Sequence, residues 1–232
     1  RGKINDFILR KKILLVGAGC VGASIAEILV RSGVYSLTII DSDIFEVGNL
    51  SRHVLNVDDI GGLKGLSLCN YLNSLNPHAN VEVINNALTI DGELKTNIDL
   101  DKYRIIIDCT GENSVLDIIQ SNNFKKRHIF ASVSVGLGAK RLYITLMNNQ
   151  TFDFKAFFDL IAPYLQSERV LYNDYDLPRN GIGCWHPTFP GRSDDVWLAA
   201  STATKANSRT YKGYYETCLL YTSPSPRDST SS

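Results

Sequence analysis

Six polar side chains have the types and spacing to handle a phosphorylated ligand: Asp41, Asp43, Asn49, Arg52, Lys64 and Asp108. The first five follow a turn reading Gly17-Ala18-Gly19-Cys20-Val21-Gly22. Gly17, Gly19 and Gly22, set between a strand and a helix, aim backbone N–H groups at an anion. Asp41 closes the next strand, where an acid suits ribose hydroxyls that need an acceptor. Glycine turns also occur where a helix and strand merely pack closely, but this setting favours nucleotide binding. The amide, guanidinium and ammonium of Asn49, Arg52 and Lys64 then select the nucleotide. A dinucleotide dehydrogenase has no evident need of them just past its ribose acid, and a triphosphate does.

The elements that must position these groups alternate between strand and helix. The apolar run Ile13–Val16 reads as a buried parallel strand. A helix follows from about Val21 to Arg31, with Ile25, Ile28 and Leu29 on one face and Gly33 as its stop. Leu37–Ile40 is a second strand, and Leu66, Leu68, Cys69, Leu72 and Leu75 give a helical stripe ending near Asn76-Pro77. Further strands are expected at Asn80–Ile84 and Ile105–Ile107, the latter ending in Asp108, with a short helix near Gly92–Asn97 between them. His128–Val135 and Arg141–Met147, turned by Gly136-Leu137-Gly138, are expected to pair antiparallel. The aromatic stripe Phe154, Phe157, Phe158, Ile161 and Leu165 predicts a helix that Pro163 ends or kinks; a last helix spans Asp194–Thr204. The fold class is therefore α/β: a doubly wound, mostly parallel Rossmann-like sheet with an antiparallel extension on its C-terminal side. Ligands of such sheets lie at the carboxyl ends of the strands, the edge that Gly17–Gly22, Asp41 and Asp108 share.

In order and spacing, Gly17-Ala18-Gly19-Cys20-Val21-Gly22, Asp41-Ser42-Asp43, Asn49-Leu50-Ser51-Arg52, Lys64 and Asp108-Cys109-Thr110 resemble the ThiF/MoeB-type adenylating enzymes, which share the fold of ubiquitin-activating enzymes. The resemblance covers roughly the first two-thirds of the chain. It implies ATP and Mg2+ as cofactors, and as substrate the C-terminal carboxylate of a ubiquitin-like or other small carrier protein. Arg52, in a bidentate fork, and Lys64 would then neutralise the phosphates, with Asn49 donating to a phosphate oxygen. Asp108 would hold magnesium, as a hard cation takes one carboxylate together with substrate phosphates. Asp43 has two open readings, ribose or metal. Family members are commonly homodimers in which an N-terminal arginine reaches the other subunit's ATP, a role for which Arg1 and Arg10 are candidates.

Blander readings stand beside these. Arg52 and Lys64 could be solvated surface charges, and Asp41 and Asp108 could cap the helices that follow. The order of these residues after the glycine turn favours function. Cys20 fits as a small residue beside phosphate, and Cys69 and Cys109 as small buried apolar groups. His53, His78 and His128 show no ligand spacing and read as structural or exposed. Cys184, in Gly183-Cys184-Trp185-His186, has two open readings. One is a thioester-forming nucleophile whose pKa His186 lowers; the other is a loop cysteine packed by Trp185 and Phe189. Two other functions remain as alternatives, a nicotinamide-dependent oxidoreductase and a non-catalytic nucleotide-binding scaffold.

At 232 residues the chain is long enough for one domain with a sizeable core. Its 24 basic and 24 acidic residues balance, so no basic footprint argues for nucleic acid or a membrane surface as partner. No apolar run is long enough to span a bilayer and no signal peptide is visible, which makes the cytoplasm the expected location. The start at Arg1 without a methionine suggests a fragment, and bacterial relatives often carry fused domains. No C-x-x-C pair is present, so a structural zinc site of that kind is not expected. Many ThiF/MoeB relatives carry one, and its lack points away from the sulfur-carrier branches and towards those that activate ubiquitin-like modifiers. Residues 218–228, Cys-Leu-Leu-Tyr-Thr-Ser-Pro-Ser-Pro-Arg-Asp, resemble a translated transposase-type sequencing adapter. The expected organisation is thus an adenylation domain over 1–217 and a non-native, disordered tail over 218–232. Finding those codons when the source locus is amplified would refute a non-native origin.

Overall fold

The computed structural model describes residues 6–85, 89–90, 93–94, 98–136, 141–171, 191–210 and 217–222. After a single helical turn, α1 (Asp6–Leu9), the chain enters β1 (Lys12–Val16), α2 (Cys20–Arg31), β2 (Ser36–Ile40), α3 (Lys64–Leu75) and β3 (Asn80–Ile84). Two short strands, β4 (Thr89–Ile90) and β5 (Glu93–Leu94), pair with each other. Next come β6 (Ile105–Asp108), α4 (Asn113–Ser121), β7 (His128–Val135), β8 (Arg141–Asn149), α5 (Lys155–Leu171), α6 (Ser193–Thr210) and β9 (Thr217–Thr222).

The main sheet has seven strands in the order β3-β2-β1-β6-β7-β8-β9. Pairing is parallel from β3 through β7 and antiparallel from β7 to β9. Both faces of β1 are buried, as its continuous apolar run requires. Ile13 and Leu15 point into one core with Ile25 and Leu29 of α2, Leu68 and Leu72 of α3 and Ala200 of α6. Leu14 and Val16 point into the other, with Leu116 and Ile119 of α4, Phe130 of β7 and Phe154. From β1 the chain builds β2 and β3 to one side and β6 to the other, so the crevice where the order reverses lies at the carboxyl ends of β1 and β6.

Several expectations are corrected. The segment near Gly92–Asn97 contains the two-residue strand Glu93–Leu94 rather than a helix; its other residues lie outside the described set. Pro163 does not end α5, which runs on to Leu171. Pro163 and Asp159 are both exposed, so water can satisfy the carbonyl that the missing N–H leaves free. The sequence gives no sign of α1, and it places a helix after Asp108 without bounds, which is α4. Thr217–Thr222 pairs with β8, where disorder was expected over 218–222. The physical reason is the outer edge of β8, whose unpaired backbone groups accept an extended segment.

Candidate functional site

Register brings the polar residues to one level. Val16 lies opposite Ile40 on one side and Asp108 on the other, and Asp108 lies opposite Ser132. The turn leaving β1 is therefore flanked by Asp41 and by Asp108-Cys109-Thr110. Gly17 takes φ +91°, and a Cβ there would press on Thr110 and the Cys109 backbone. A Cβ on Gly22 would fall on the Gly17 carbonyl oxygen, while one on Gly19 would meet nothing within 4 Å. Turn and helix thus close tightly at two glycines and stand open at the third. Gly19 is the N-cap of α2 and supplies no capping side chain, and the first turn holds no acidic residue. Helix N-termini usually recruit such a partner; here the anion-favouring end has none of its own.

Asp41 is half-buried against this turn. Its Oδ2 accepts the Ala18 N–H at 2.6 Å and its Oδ1 accepts the Asp43 N–H at 2.8 Å. Burial raises its pKa above the ordinary value, opposed chiefly by the Lys64 charge. Lys64 is the first residue of α3 and only 3 % exposed, with Nζ 3.0 Å from the exposed Asp43 carboxylate. A buried ammonium needs a counter-charge, and Asp43, at the surface, is one that a phosphate could replace. A Cβ on Gly65 would touch Asp41, which shows how closely α3 abuts the end of β2.

Asn49 and Arg52 lie on the loop between β2 and α3 and both are buried, Arg52 to 4 % exposure. The Glu46 N–H donates to Asn49 Oδ1 at 3.0 Å, which leaves the amide NH2 as the donor end. The Arg52 and His53 amides both donate to the Asn49 carbonyl, fixing the spacing of this segment.

Asp108 is 1 % exposed. Its Oδ1 accepts both the Thr110 hydroxyl at 2.6 Å and the Thr110 N–H at 3.0 Å, and its Oδ2 accepts the Ser132 hydroxyl at 2.8 Å. Burial raises its pKa, and these hydrogen bonds oppose the rise. Among the described residues no group of three or more His, Cys, Asp or Glu could hold a metal. A lone oriented carboxylate fits magnesium that arrives with a polyphosphate rather than a metal caged by protein alone.

Seven expected nucleotide-site residues, Gly17, Gly19, Gly22, Asp41, Asp43, Lys64 and Asp108, thus meet around one strand edge. Asn49 and Arg52 join them through His53, which touches the turn: its Nε2 lies 2.8 Å from the Ala18 carbonyl. Cys184 and His186 lie outside the described residues, as does Arg1; Arg10 is exposed beyond α1. Cys69 is buried and Cys109 partly so, and burial keeps both thiols above their ordinary pKa. His128 is buried as a structural residue between the Tyr103 carbonyl and Asp101, whereas His78 is exposed. Three participants escaped the sequence reading. Thr110 lay within the quoted motif without a role, His53 was set aside for lack of ligand spacing, and Ser132 gave no signal beyond being a hydroxyl in a buried strand.

A helix N-terminus at the switch point of a doubly wound, mostly parallel sheet defines a Rossmann-like domain. Residues 5–171 match the model of the ThiF family, and the chain belongs to that family. It is 38 % identical over 209 residues to the ATP-dependent ubiquitin transferase-like protein Cap2 of Enterobacter hormaechei subsp. hoffmannii, covering 88 % of this chain and 34 % of that protein. It is 37 % identical over 109 residues to the adenylyltransferase and sulfurtransferase UBA4 of Candida albicans, covering 47 % of this chain and 24 % of that protein. The chain therefore spans about a third or less of these relatives' lengths. Among solved structures, E. coli MccB with ATP superposes with a TM-score of 0.66 at 17 % identity, over 94 % of this chain and 62 % of that one. E. coli tRNA N6-threonylcarbamoyladenosine dehydratase, TcdA, superposes at 0.58 with 20 % identity, over 87 % and 86 %. At these identities the two structures speak for the fold.

Proposed function

We propose that this chain is the adenylation domain, over residues 1–217, of an ATP-dependent enzyme that activates the C-terminal carboxylate of a ubiquitin-like or other small carrier protein in the cytoplasm. The observation that carries this reading is that two buried cationic side chains, Arg52 and Lys64, both act on His53, which contacts the glycine turn at Ala18 next to the uncapped start of α2. A dinucleotide site has no use for that concentration of positive charge, and a triphosphate does. The length and identity of the match to Cap2 support a ubiquitin-like carrier over a sulfur carrier.

In this reading Asp41 accepts the ribose hydroxyls, and Asn49, Arg52 and Lys64 grip the phosphates. Lys64 exchanges its bond to Asp43 for a phosphate oxygen, so its charge is delivered without fresh desolvation. A carboxylate oxygen of the carrier attacks the α-phosphorus, the acyl–O–P bond forms, and the bond to the bridging oxygen breaks with its electrons leaving on pyrophosphate. No proton moves, and the chain's task is to align two anions and neutralise them. Asp108 would hold Mg2+, which supplies further charge neutralisation on the phosphates. A second copy of the chain covers the apolar rim formed by Ile44, Val57, Ile60 and Leu63, giving a homodimer. Cys184 is the candidate to receive the acyl group as a thioester.

Calorimetric titration with Mg-ATP and separately with NAD tests the reading, using the full chain, the chain trimmed after Thr217, and Lys64→Ala. Mg-ATP should bind both lengths alike, because β8 and β9 lie beyond the site strands, and should weaken about tenfold or more in Lys64→Ala through loss of one charge-assisted hydrogen bond. Binding of NAD that ignores Lys64→Ala would replace this reading with an oxidoreductase. Mg-ATP binding without pyrophosphate release when carriers are supplied would leave a scaffold.

A further inference from the structure

Ala18, at the centre of the glycine turn, is held through both of its peptides, the Gly17–Ala18 peptide by Asp41 and the Ala18–Gly19 peptide by His53. The Ala18 N–H donates to Asp41 Oδ2 at 2.6 Å, and the Ala18 carbonyl lies 2.8 Å from Nε2 of His53. The Leu55 N–H donates to His53 Nδ1 at 3.1 Å, so that nitrogen carries no proton and Nε2 carries the one that is given to Ala18. The imidazole rests on the buried Phe45 ring, with centroids 5.0 Å apart. Phe45 is in turn fixed through its backbone, its N–H donating to the Gly62 carbonyl and its own carbonyl accepting the Gly61 N–H. His53 therefore ties three separate segments to one peptide: the glycine turn, the Asn49–Arg52 loop and the Gly61-Gly62 turn that leads into Lys64.

In a trans peptide the C=O and the following N–H point in opposite directions within one plane. Anchoring the Ala18 carbonyl inward therefore aims the Gly19 N–H outward, at the open part of the turn. We propose that His53 is a positioning residue for the nucleotide: by donating from Nε2 to Ala18 it presets the Gly19 N–H towards the phosphates. This rests on the nucleotide reading given above. A neutral imidazole is required, and burial supplies it by lowering the pKa to about 4. The Lys64 and Arg52 charges act in the same direction, while the bond to Ala18 and the Asp59 charge oppose it.

Two substitutions separate this role from packing. His53→Gln offers a donor and an acceptor on one amide but no ring for Phe45; His53→Phe keeps a ring and offers neither hydrogen bond. Mg-ATP titration of the full chain should show affinity about tenfold weaker for His53→Phe and within about threefold of the parent for His53→Gln, with circular dichroism confirming that both are folded. Affinity retained in His53→Phe, or lost equally in His53→Gln, would overturn the proposal while leaving the nucleotide site standing. A parent chain that binds no Mg-ATP would overturn the nucleotide reading itself, and this inference with it.

Discussion

At the scale of single residues, burial disfavours the charge on two carboxylates of the site, Asp41 and Asp108. Asp108 shows this most plainly: a carboxylate 1 % exposed, given three hydrogen bonds by Thr110 and Ser132, yet held above its ordinary pKa of 3.8. The folded chain therefore binds this proton more tightly than the unfolded chain. The ionised form costs stability at neutral pH, and the cost fades as the pH falls towards the raised value. Asp108→Asn keeps an acceptor for Thr110 and gives Ser132 a donor to face, so its thermal midpoint at pH 7 should equal or exceed the parent's. The gap should close in acid. Pyrophosphate release should meanwhile fall by about a hundredfold or more. Loss of stability in Asp108→Asn at pH 7 would mean that the carboxylate serves the fold, and the catalytic assignment would fail.

At the scale of elements, the glycine turn divides its work among three positions that a sequence pattern writes identically. Gly17→Ala forces a left-handed residue and presses on Thr110, at a cost of about 1–2 kcal/mol from the backbone alone. Gly22→Ala drives a methyl into the Gly17 carbonyl, where neither backbone can yield cheaply, and should be the most destabilising of the three. Gly19→Ala meets nothing, so its cost should be no more than about 1 kcal/mol, that of a poorer N-cap residue. Its methyl nevertheless stands where phosphate is expected to approach the backbone. Thermal melts and Mg-ATP titrations should therefore rank the variants differently, with Gly19→Ala folded and defective in binding. Normal ATP affinity in Gly19→Ala would move the phosphates away from this turn.

The same comparison shows what the sequence could reveal. Strands β1, β2 and β6 were legible because two-sided burial writes a near-continuous apolar run, β3 through its alternating Val81 and Val83, and the charged residues because they lie in order behind the turn. Ser132 and His53 act through contacts between residues 24 and 35 positions apart, which no local pattern encodes. Helix α4 starts at an N-cap, Glu112, that makes no side-chain cap bond, so its bounds were not legible, and the continuation of α5 through Pro163 depends on which side of the helix faces water.

At the scale of the whole molecule, an exposed apolar surface lies beside the site. Ile44 and Leu63 are bridge partners and so neighbours, Leu66 follows one helical turn along α3, and Val57 and Ile60 lie on the turn that leads back to them. All five are exposed, although this segment also supplies Arg52 and Lys64 from its buried side. Five exposed apolar side chains on one short segment, interrupted by Asp58 and Asp59, are characteristic of an interface with a polar component. If a second copy covers it, each site lies next to the partner. Val57 is 65 % exposed, so Val57→Asp should fold with little loss of stability while adding a third acidic charge beside Asp58 and Asp59 at the proposed seam. In sedimentation the parent should run as a dimer and Val57→Asp as a monomer, with pyrophosphate release falling together with the dimer fraction. A parent that sediments as a monomer at micromolar concentration, or a monomeric Val57→Asp with full activity, would separate the site from any partner copy.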